Sequence, residues 1–299
     1  MLYGIILISM HLNQQDIHSN IKKVEHVIYG PWVGELGWEL FGCQGYLRKL
    51  REDYTHIKSF HIISRTGRSF LYEDFCDSYI EYDCPGHNIT GALCLDWKPD
   101  KQIIPSVTKS LGLDNYLYIP TQHFLVDYHA AGPGREERLE KFLGSQKFIK
   151  YENNNIEDKP FDILIHARHS FHHNTGEKNW PIEKWNTVCK YLKNKGYSLA
   201  AIGSKEGAHL PEECEDIRNI DLKNLVSYLN YSKMLVSCCS GPAHLASLCD
   251  TPLVVLTNKA NINRYKTDWN PFNTPREIIY EEGYNPKTET VLNRIENLL

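Results

Sequence analysis

The stretch SCCSGPAHLASLCDTPLVVL, residues 237–256, decides the fold. The apolar run KMLVSCC (233–239) reads as a buried strand. A polar turn, Ser240-Gly241-Pro242, leads into a helix that starts GPAHLASLCD, and a second strand, TPLVVLT (251–257), follows. Strand, turn, helix and strand in that order form the unit of a parallel sheet. Pro242 suits the first helical position, where its missing N–H costs nothing, and Gly241 lets the backbone approach a ligand closely. The turn has two readings. Ser240 is the N-cap of an ordinary packing turn, or the free amides and partial positive charge of the helix start hold an anion such as a phosphate.

The same alternation runs outward in both directions. FDILIHAR (161–168) and YSLAAIGS (197–204) read as strands, and PIEKWNTVCKYLKNKG (181–196), DLKNLVSYLNYS (221–232) and TETVLNRIENLL (288–299) as helices. Towards the N-terminus, EHVIYG (25–30), IKSFHIISR (57–65), SYIEYD and NYLYIP are strands. WELFGCQGYLRKLRED, SFLYEDFCD and REERLEKFLGSQ (135–146) are expected helices. The polar, proline-ended YENNNIEDKP (151–160) interrupts the pattern and is the expected linker. The expectation is an α/β protein with two Rossmann-like domains, residues 1–155 and 156–299, facing a cleft. In such sheets ligands bind at the carboxyl ends of the strands.

Of 299 residues, 41% are hydrophobic and 23% charged, a globular balance and a length suited to two domains. A formal net charge of -4 gives no overall basic footprint of the nucleic-acid-binding kind. The nine cysteines are odd in number, include no CxxC and lie mostly in apolar context, which points to a reducing, cytoplasmic setting. LYGIILISM (2–10) lacks a basic flank and a small-residue cleavage site, and no apolar run approaches the ~20 residues of a membrane span. It reads as an extra strand or a disordered leader. No internal repeat or low-complexity tract is present.

The neighbours of the Ser-Gly-Pro turn favour the anion reading. ILIHARHS ends a strand with Arg168, and Lys178 stands just before a helix opened by Pro181. Cations converging on a helix start suit a diphosphate. Here EKNWPIEKW (177–185), AIGS (201–204) and CSGPAHLASLCDTPLVVL (239–256) resemble the heptosyltransferase-type glycosyltransferases of the GT-B fold. That family carries a similar Lys-x-Trp-Pro-x-x-x-Trp segment and an Asp-Thr/Ser-Gly-x-x-His-Leu turn before a strand. The resemblance covers residues 160–272 well and the first half less. It implies that Lys178, Ser240 and Gly241 hold a donor diphosphate with His244 nearby, and Arg168, Ser204 and Pro242 join that set. The family's aspartate is Cys239 here, which puts that aspartate's role in doubt. HARHS also resembles the strand end of GT-B fucosyltransferases. His166, His169, His172 and His173 fall within eight positions, but no supporting cysteine or carboxylate spacing accompanies them, so no metal site is expected.

In the first half the family has a Gly-x-Leu-Gly-Asp turn whose aspartate is the base. This chain reads Gly34-Glu35-Leu36-Gly37-Trp38, so Glu39, adjacent to the family position, is favoured over Glu35 as the group that takes the acceptor proton. Trp38, Arg65 and Arg68 are candidates for the acceptor side, and Arg264 or Tyr265 for the donor side. Each has a bland alternative: a core tryptophan, solvated arginines or surface glutamates. The resemblance implies an inverting sugar transfer from a nucleotide-sugar co-substrate, with no metal or cofactor. The acceptor is a saccharide or, as in phages, a hydroxymethylated DNA base reached through a local groove of Arg48, Lys49, Arg51, Arg65 and Arg68. The alternatives are a nucleotide-sugar epimerase of the same fold and a non-catalytic nucleotide- or sugar-binding protein.

Overall fold

The computed structural model describes residues 14–32, 34–82, 102–120, 135–153, 161–170 and 176–299. The chain divides into two compact units, Met1–Lys147 and Phe148–Leu299. The 2–10 stretch, residues 85–101 and residues 154–160 of the expected linker lie outside the described residues. Tyr151 and Asn153 are tied to the second unit, by Tyr151 N–H to the Leu248 carbonyl at 2.8 Å and Asn153 N–H to Asn230 at 3.0 Å.

Among its described residues the first unit holds four parallel strands: β1 (His26–Tyr29), β2 (Ser59–Ser64), β3 (Ser78–Glu81) and β4 (Tyr116–Ile119), in the order β3-β2-β1-β4. Its described helices are α1 (Gln14–Ile21), α2 (Gln44–Asp53), α3 (Ile103–Leu111) and α4 (Arg135–Gly144). Ile28, Ile63, Val107 and Tyr116 form a buried apolar cluster on one face. The order reverses between β1 and β4, so the turn after β1 stands at a switch point. Gly30 makes that turn possible. It sits at φ +111°, and a Cβ there would lie 2.1 Å from the Ile63 carbonyl oxygen. The expected helix from Trp38 forms in three parts, an α-turn Leu36–Trp38, a wide π-turn Glu39–Cys43, and α2.

SFLYEDFCD does not form the expected helix: only Ser69–Leu71 makes a 3₁₀ turn. Tertiary anchors hold this segment instead. Tyr72 reaches Glu39, Asp74 pairs with Arg48, and Asp77 accepts the Phe60 N–H of β2.

Among its described residues the second unit holds six parallel strands: β5 (Ile163–His166), β6 (Leu199–Ala201), β7 (Glu215–Asp216), β8 (Met234–Cys238), β9 (Leu253–Leu256) and β10 (Arg276–Ile279). Their order is β10-β9-β8-β5-β6-β7. Its helices are α5 (Ile182–Asn194), α6 (Leu222–Tyr231), α7 (Gly241–Leu248) and α8 (Thr288–Glu296). The strands are buried throughout except short β7 and part of β10. They therefore read as apolar runs rather than alternations. Ile163, Ile165, Val236, Val254 and Leu256 pack against Trp185, Val188 and Leu192 of α5 and Val291 and Ile295 of α8. This is the doubly wound order, and its switch point lies between β5 and β8. Among the described residues no helix is long and apolar enough to cross a membrane.

Two glycines separate backbone conformation from steric contact. Gly67 also has positive φ, +76°, but a Cβ there meets nothing within 4 Å. Gly67→Ala should cost about 1–2 kcal/mol, the left-handed penalty alone. Gly30→Ala should cost about 3 kcal/mol or more, because the carbonyl of β2 must also give way. Urea unfolding of both variants against the parent chain checks the difference.

Candidate functional site

At the second unit's switch point β5 and β8 run side by side, with His166 paired to Ser237 in register. The chain leaves β8 through Cys239 and Ser240 and enters α7 at Gly241. Pro242 is therefore the second helical residue, one later than expected, and still removes an N–H that the helix does not use. Ser240 has the extended N-cap backbone but makes no side-chain cap bond. Its Oγ lies 2.9 Å from the Cys238 carbonyl oxygen, 2.9 Å from His166 Nδ1 and 3.2 Å from Ser237 Oγ. The first helical hydrogen bond runs from His244 N–H to the Ser240 carbonyl. Among the described residues the N–H groups of Ser240, Gly241 and Ala243 have no hydrogen-bond acceptor. Three such amides at a helix start are a ready anion site.

Cations and neutral histidines surround this start. Arg168, just past β5, donates to the Asn179 side chain and to the Ser170 carbonyl. Burial, helped by the Arg168 guanidinium, lowers the His166 pKa to about 3. His244 is buried in α7, stacked on Tyr265 at 5.8 Å and edge-on to Trp269 at 4.4 Å. Burial, then Lys178, Arg264 and Arg276, lower its pKa to about 3 as well. Lys178 Nζ stands 6.0 Å from the Tyr284 ring centroid. The structure thus brings Arg168, Lys178, Ser240, Gly241, Pro242 and His244 to one end of the sheet. Ser204 lies past β6, where its Oγ accepts the Gly207 N–H at 2.9 Å.

Sequence reasoning missed the polar network beneath. Asn261 is buried, and its Nδ2 reaches Thr257 Oγ1 and Tyr284 OH, each at 3.2 Å, and Cys239 Sγ at 3.8 Å. Arg264 donates to Asn261 Oδ1 at 3.1 Å and lies 5.4 Å from the Trp269 ring centroid. Tyr265 is fully buried in the core beside His244. Cys239, in the place of the expected aspartate, thus puts a thiol beside the Asn261 amide in this network.

The first unit corrects the reading of Glu39. The π-turn carries it inward, and it is 0% exposed. Oε1 accepts from Ser64 Oγ at 2.5 Å and Tyr72 OH at 2.7 Å, and Oε2 pairs with Arg68, itself buried. A carboxylate so enclosed neutralises Arg68 and cannot reach an acceptor hydroxyl without breaking that pair. Glu35, at the N-cap of the Leu36–Trp38 turn, is exposed, and Trp38 is half-buried. Arg65 is also buried, so neither loop arginine is solvated.

The expected basic groove does not form. Arg48 is buried on Asp74, Lys49 pairs with Asp53, and Arg51 lies 3.3 Å from Asp77. His169 lies beyond β5 rather than on it with His166. Its ring stands 4.0 Å from that of His209, whose pKa is lowered by burial, His169 and Arg218. His172 and His173 lie outside the described residues. Among the described residues no three His, Cys, Asp or Glu side chains gather as a metal site would.

The family model of glycosyltransferase family 9 (heptosyltransferase) matches residues 121–296. No curated protein matches the sequence. Among solved structures, the chain is similar to a family 9 glycosyl transferase from Veillonella parvula, at 15% identity and TM-score 0.63, covering 92% of this chain and 97% of the other. It is similar to the ADP-heptose LPS heptosyltransferase II of E. coli, at 14% identity and TM-score 0.58, covering 92% and 98%. The E. coli heptosyltransferase WaaC with ADP aligns at 13% identity and TM-score 0.56, covering 92% and 99%. At these identities the likeness shows the fold, that of the GT-B glycosyltransferases.

The two buried histidines set a pH dependence. Each has a pKa of about 3 in the folded chain against 6.5 for an ordinary histidine. The unfolded chain gains these protons as pH falls through 6.5, whereas the folded chain does not until about 3. Their stabilising contribution is therefore complete above 6.5 and drains on acidification, by up to about 1.4 kcal/mol per pH unit for each. Urea unfolding between pH 7.5 and 4.5 should show this fall, and His244→Gln should reduce the slope by about one proton's worth.

Proposed function

The chain belongs to glycosyltransferase family 9, and on that premise we propose that it moves a sugar from a nucleoside-diphosphate sugar to a saccharide hydroxyl, inverting the anomeric centre without a metal ion. Family membership makes it a glycosyltransferase, and sets aside the epimerase and the non-catalytic binding protein. One observation carries the donor site: the three amides of Ser240, Gly241 and Ala243 that open α7 without an acceptor among the described residues. The relatives named above act from ADP-heptose or are seen with ADP, so ADP is the first ligand to try.

The transfer is a single displacement. The acceptor oxygen bonds to the anomeric carbon as the bond from that carbon to the diphosphate oxygen breaks, and the acceptor proton passes to a carboxylate. We assign that carboxylate to Glu35, which is exposed, rather than to Glu39, which is enclosed by Ser64, Arg68 and Tyr72. Negative charge grows on the departing diphosphate. The α7 amides, Lys178 and Arg168 are fixed positive groups that stabilise it as it forms, in the role a metal ion plays elsewhere. Lys178 acts across His244, which stays neutral and does not oppose it. Trp38 is the first unit's candidate contact for the acceptor sugar. A DNA acceptor is not supported, because the cations of the expected groove are already paired.

Calorimetry with ADP, UDP and GDP tests the donor site: one of them should bind, and Lys178→Ala should weaken it at least ~10-fold. Silence from all three on folded protein overturns this reading. The base is tested by nucleoside diphosphate release from an ADP-sugar in the presence of a core oligosaccharide. Glu35→Gln should lower turnover by about 10²-fold or more while leaving ADP affinity in place. Glu39→Gln should instead lose about 3–5 kcal/mol of folding stability, since it leaves Arg68 buried and unpaired. A stable but inactive Glu39→Gln enzyme would return the base to Glu39.

A further inference from the structure

Ser240 occupies the N-cap of α7 without capping it. An N-cap serine ordinarily turns its oxygen onto the N–H of the second or third helical residue. Here that N–H belongs to Ala243, because Pro242 has none. The Ser240 oxygen is drawn the other way, towards β5 and β8.

A proton inventory shows what draws it. The Cys238 carbonyl can only accept, and it lies 2.7 Å from Ser237 Oγ and 2.9 Å from Ser240 Oγ. Each hydroxyl has one proton to give, and both are directed at that carbonyl. His166 Nδ1 lies 2.9 Å from Ser240 Oγ and 3.2 Å from Ser237 Oγ, and with both hydroxyl protons on the carbonyl it is Nδ1 that supplies the remaining N–H. Neutral His166 is then the Nδ1–H tautomer, and it donates to the lone pair that Ser240 would otherwise turn onto Ala243. The ring is held in place from both sides. Its strand position is fixed by the pairing of His166 with Ser237. On the other side Gly203, at φ +110°, leaves it room, since a Cβ there would lie 2.7 Å from His166 Cδ2.

We infer that His166 is a positioning residue: its Nδ1–H holds the Ser240 hydroxyl away from α7 and so keeps the Ser240, Gly241 and Ala243 amides open to the diphosphate of the donor. This rests on the reading of α7 as the diphosphate site. Without His166 the Ser240 oxygen is free to swing onto Ala243 and compete with the ligand for the same N–H. The competition is worth roughly fivefold to tenfold in affinity, the range of a serine cap.

A double-mutant cycle on the full chain tests it, read by calorimetry with ADP, or with UDP or GDP if the parent prefers one of those. His166→Ala should weaken binding roughly fivefold to tenfold in the parent. In the Ser240→Ala background the same change should cost less than about twofold, because no hydroxyl remains to compete. His166→Asn, which keeps an N–H near the Nδ1 position, should restore most of the affinity. Equal losses in both backgrounds, or no loss in either, overturn the inference while leaving the donor site standing. If His166→Ala does not fold, His166→Leu, closer in volume, runs the same cycle. A parent chain that binds none of the three diphosphates removes the donor site, and the role of His166 with it.

Discussion

Every α-helix begins with N–H groups that its own ladder cannot pair, and much of the second unit turns on where those of α7 point. Among the described residues Ser240, Gly241 and Ala243 find no acceptor for theirs at the carboxyl end of the second sheet. Much of the second unit is arranged around that fact. The β5–β8 pairing sets His166 beside Ser237 and so beside the turn. Gly203 leaves space for the His166 ring. Pro242 removes the one further amide that would have needed a partner. Two histidines that burial keeps neutral adjoin the site, so the local positive charge comes from Arg168, Lys178 and the helix itself.

The first unit solves a different electrostatic problem. Its charge is drawn inward, where the Glu39–Arg68 pair, with Ser64 and Tyr72 as further donors, fixes the π-turn to the end of β2. A buried pair of this kind contributes little net stability when intact and costs much when broken. Its use here is geometric: with Glu39 turned inward, Glu35 and Trp38 are left as the polar and aromatic groups on the outer side of the same turn.

The architecture was legible because β5, β6, β8 and β9 are short apolar runs bounded by turn residues, and the helix between β8 and β9 opens on Ser-Gly-Pro; β7 and β10, with Glu215, Asp216, Arg276 and Glu277 in them, carry no such run and were not read. The positions of Arg168, Ser240 and Gly241 at a strand end and a helix start were legible for the same reason, since strand ends and helix starts are local features. What failed was long-range. Nothing around Glu39 shows that a π-turn will rotate it onto Arg68, 29 positions away in sequence. The network of Cys239, Thr257, Asn261 and Tyr284 joins segments that carry no common motif. SFLYEDFCD has the composition of a helix, and its three anchors, to Glu39, Arg48 and Phe60, are invisible from within it. One miss was avoidable. Lys49 and Asp53 stand at i,i+4 on a helix, a spacing that already pairs the lysine with its own neighbour rather than with a nucleic acid.

The separateness of the two cores has a bearing on how this enzyme would respond to heat. Ile28, Ile63, Val107 and Tyr116 belong wholly to the first unit, and the Trp185–Ile295 cluster wholly to the second. A chain built this way need not melt as one cooperative block, and a single melting temperature would then describe neither half. A nucleotide at the proposed donor site on α7 would bind groups that belong to the second unit. Where the two units unfold as separate transitions, its stabilising effect is written into the second unit's transition by mass action while the first unit's transition keeps its midpoint. The heat-capacity trace of the liganded chain would thus separate into a moving peak and a stationary one, and the moving peak would identify the half that carries the donor.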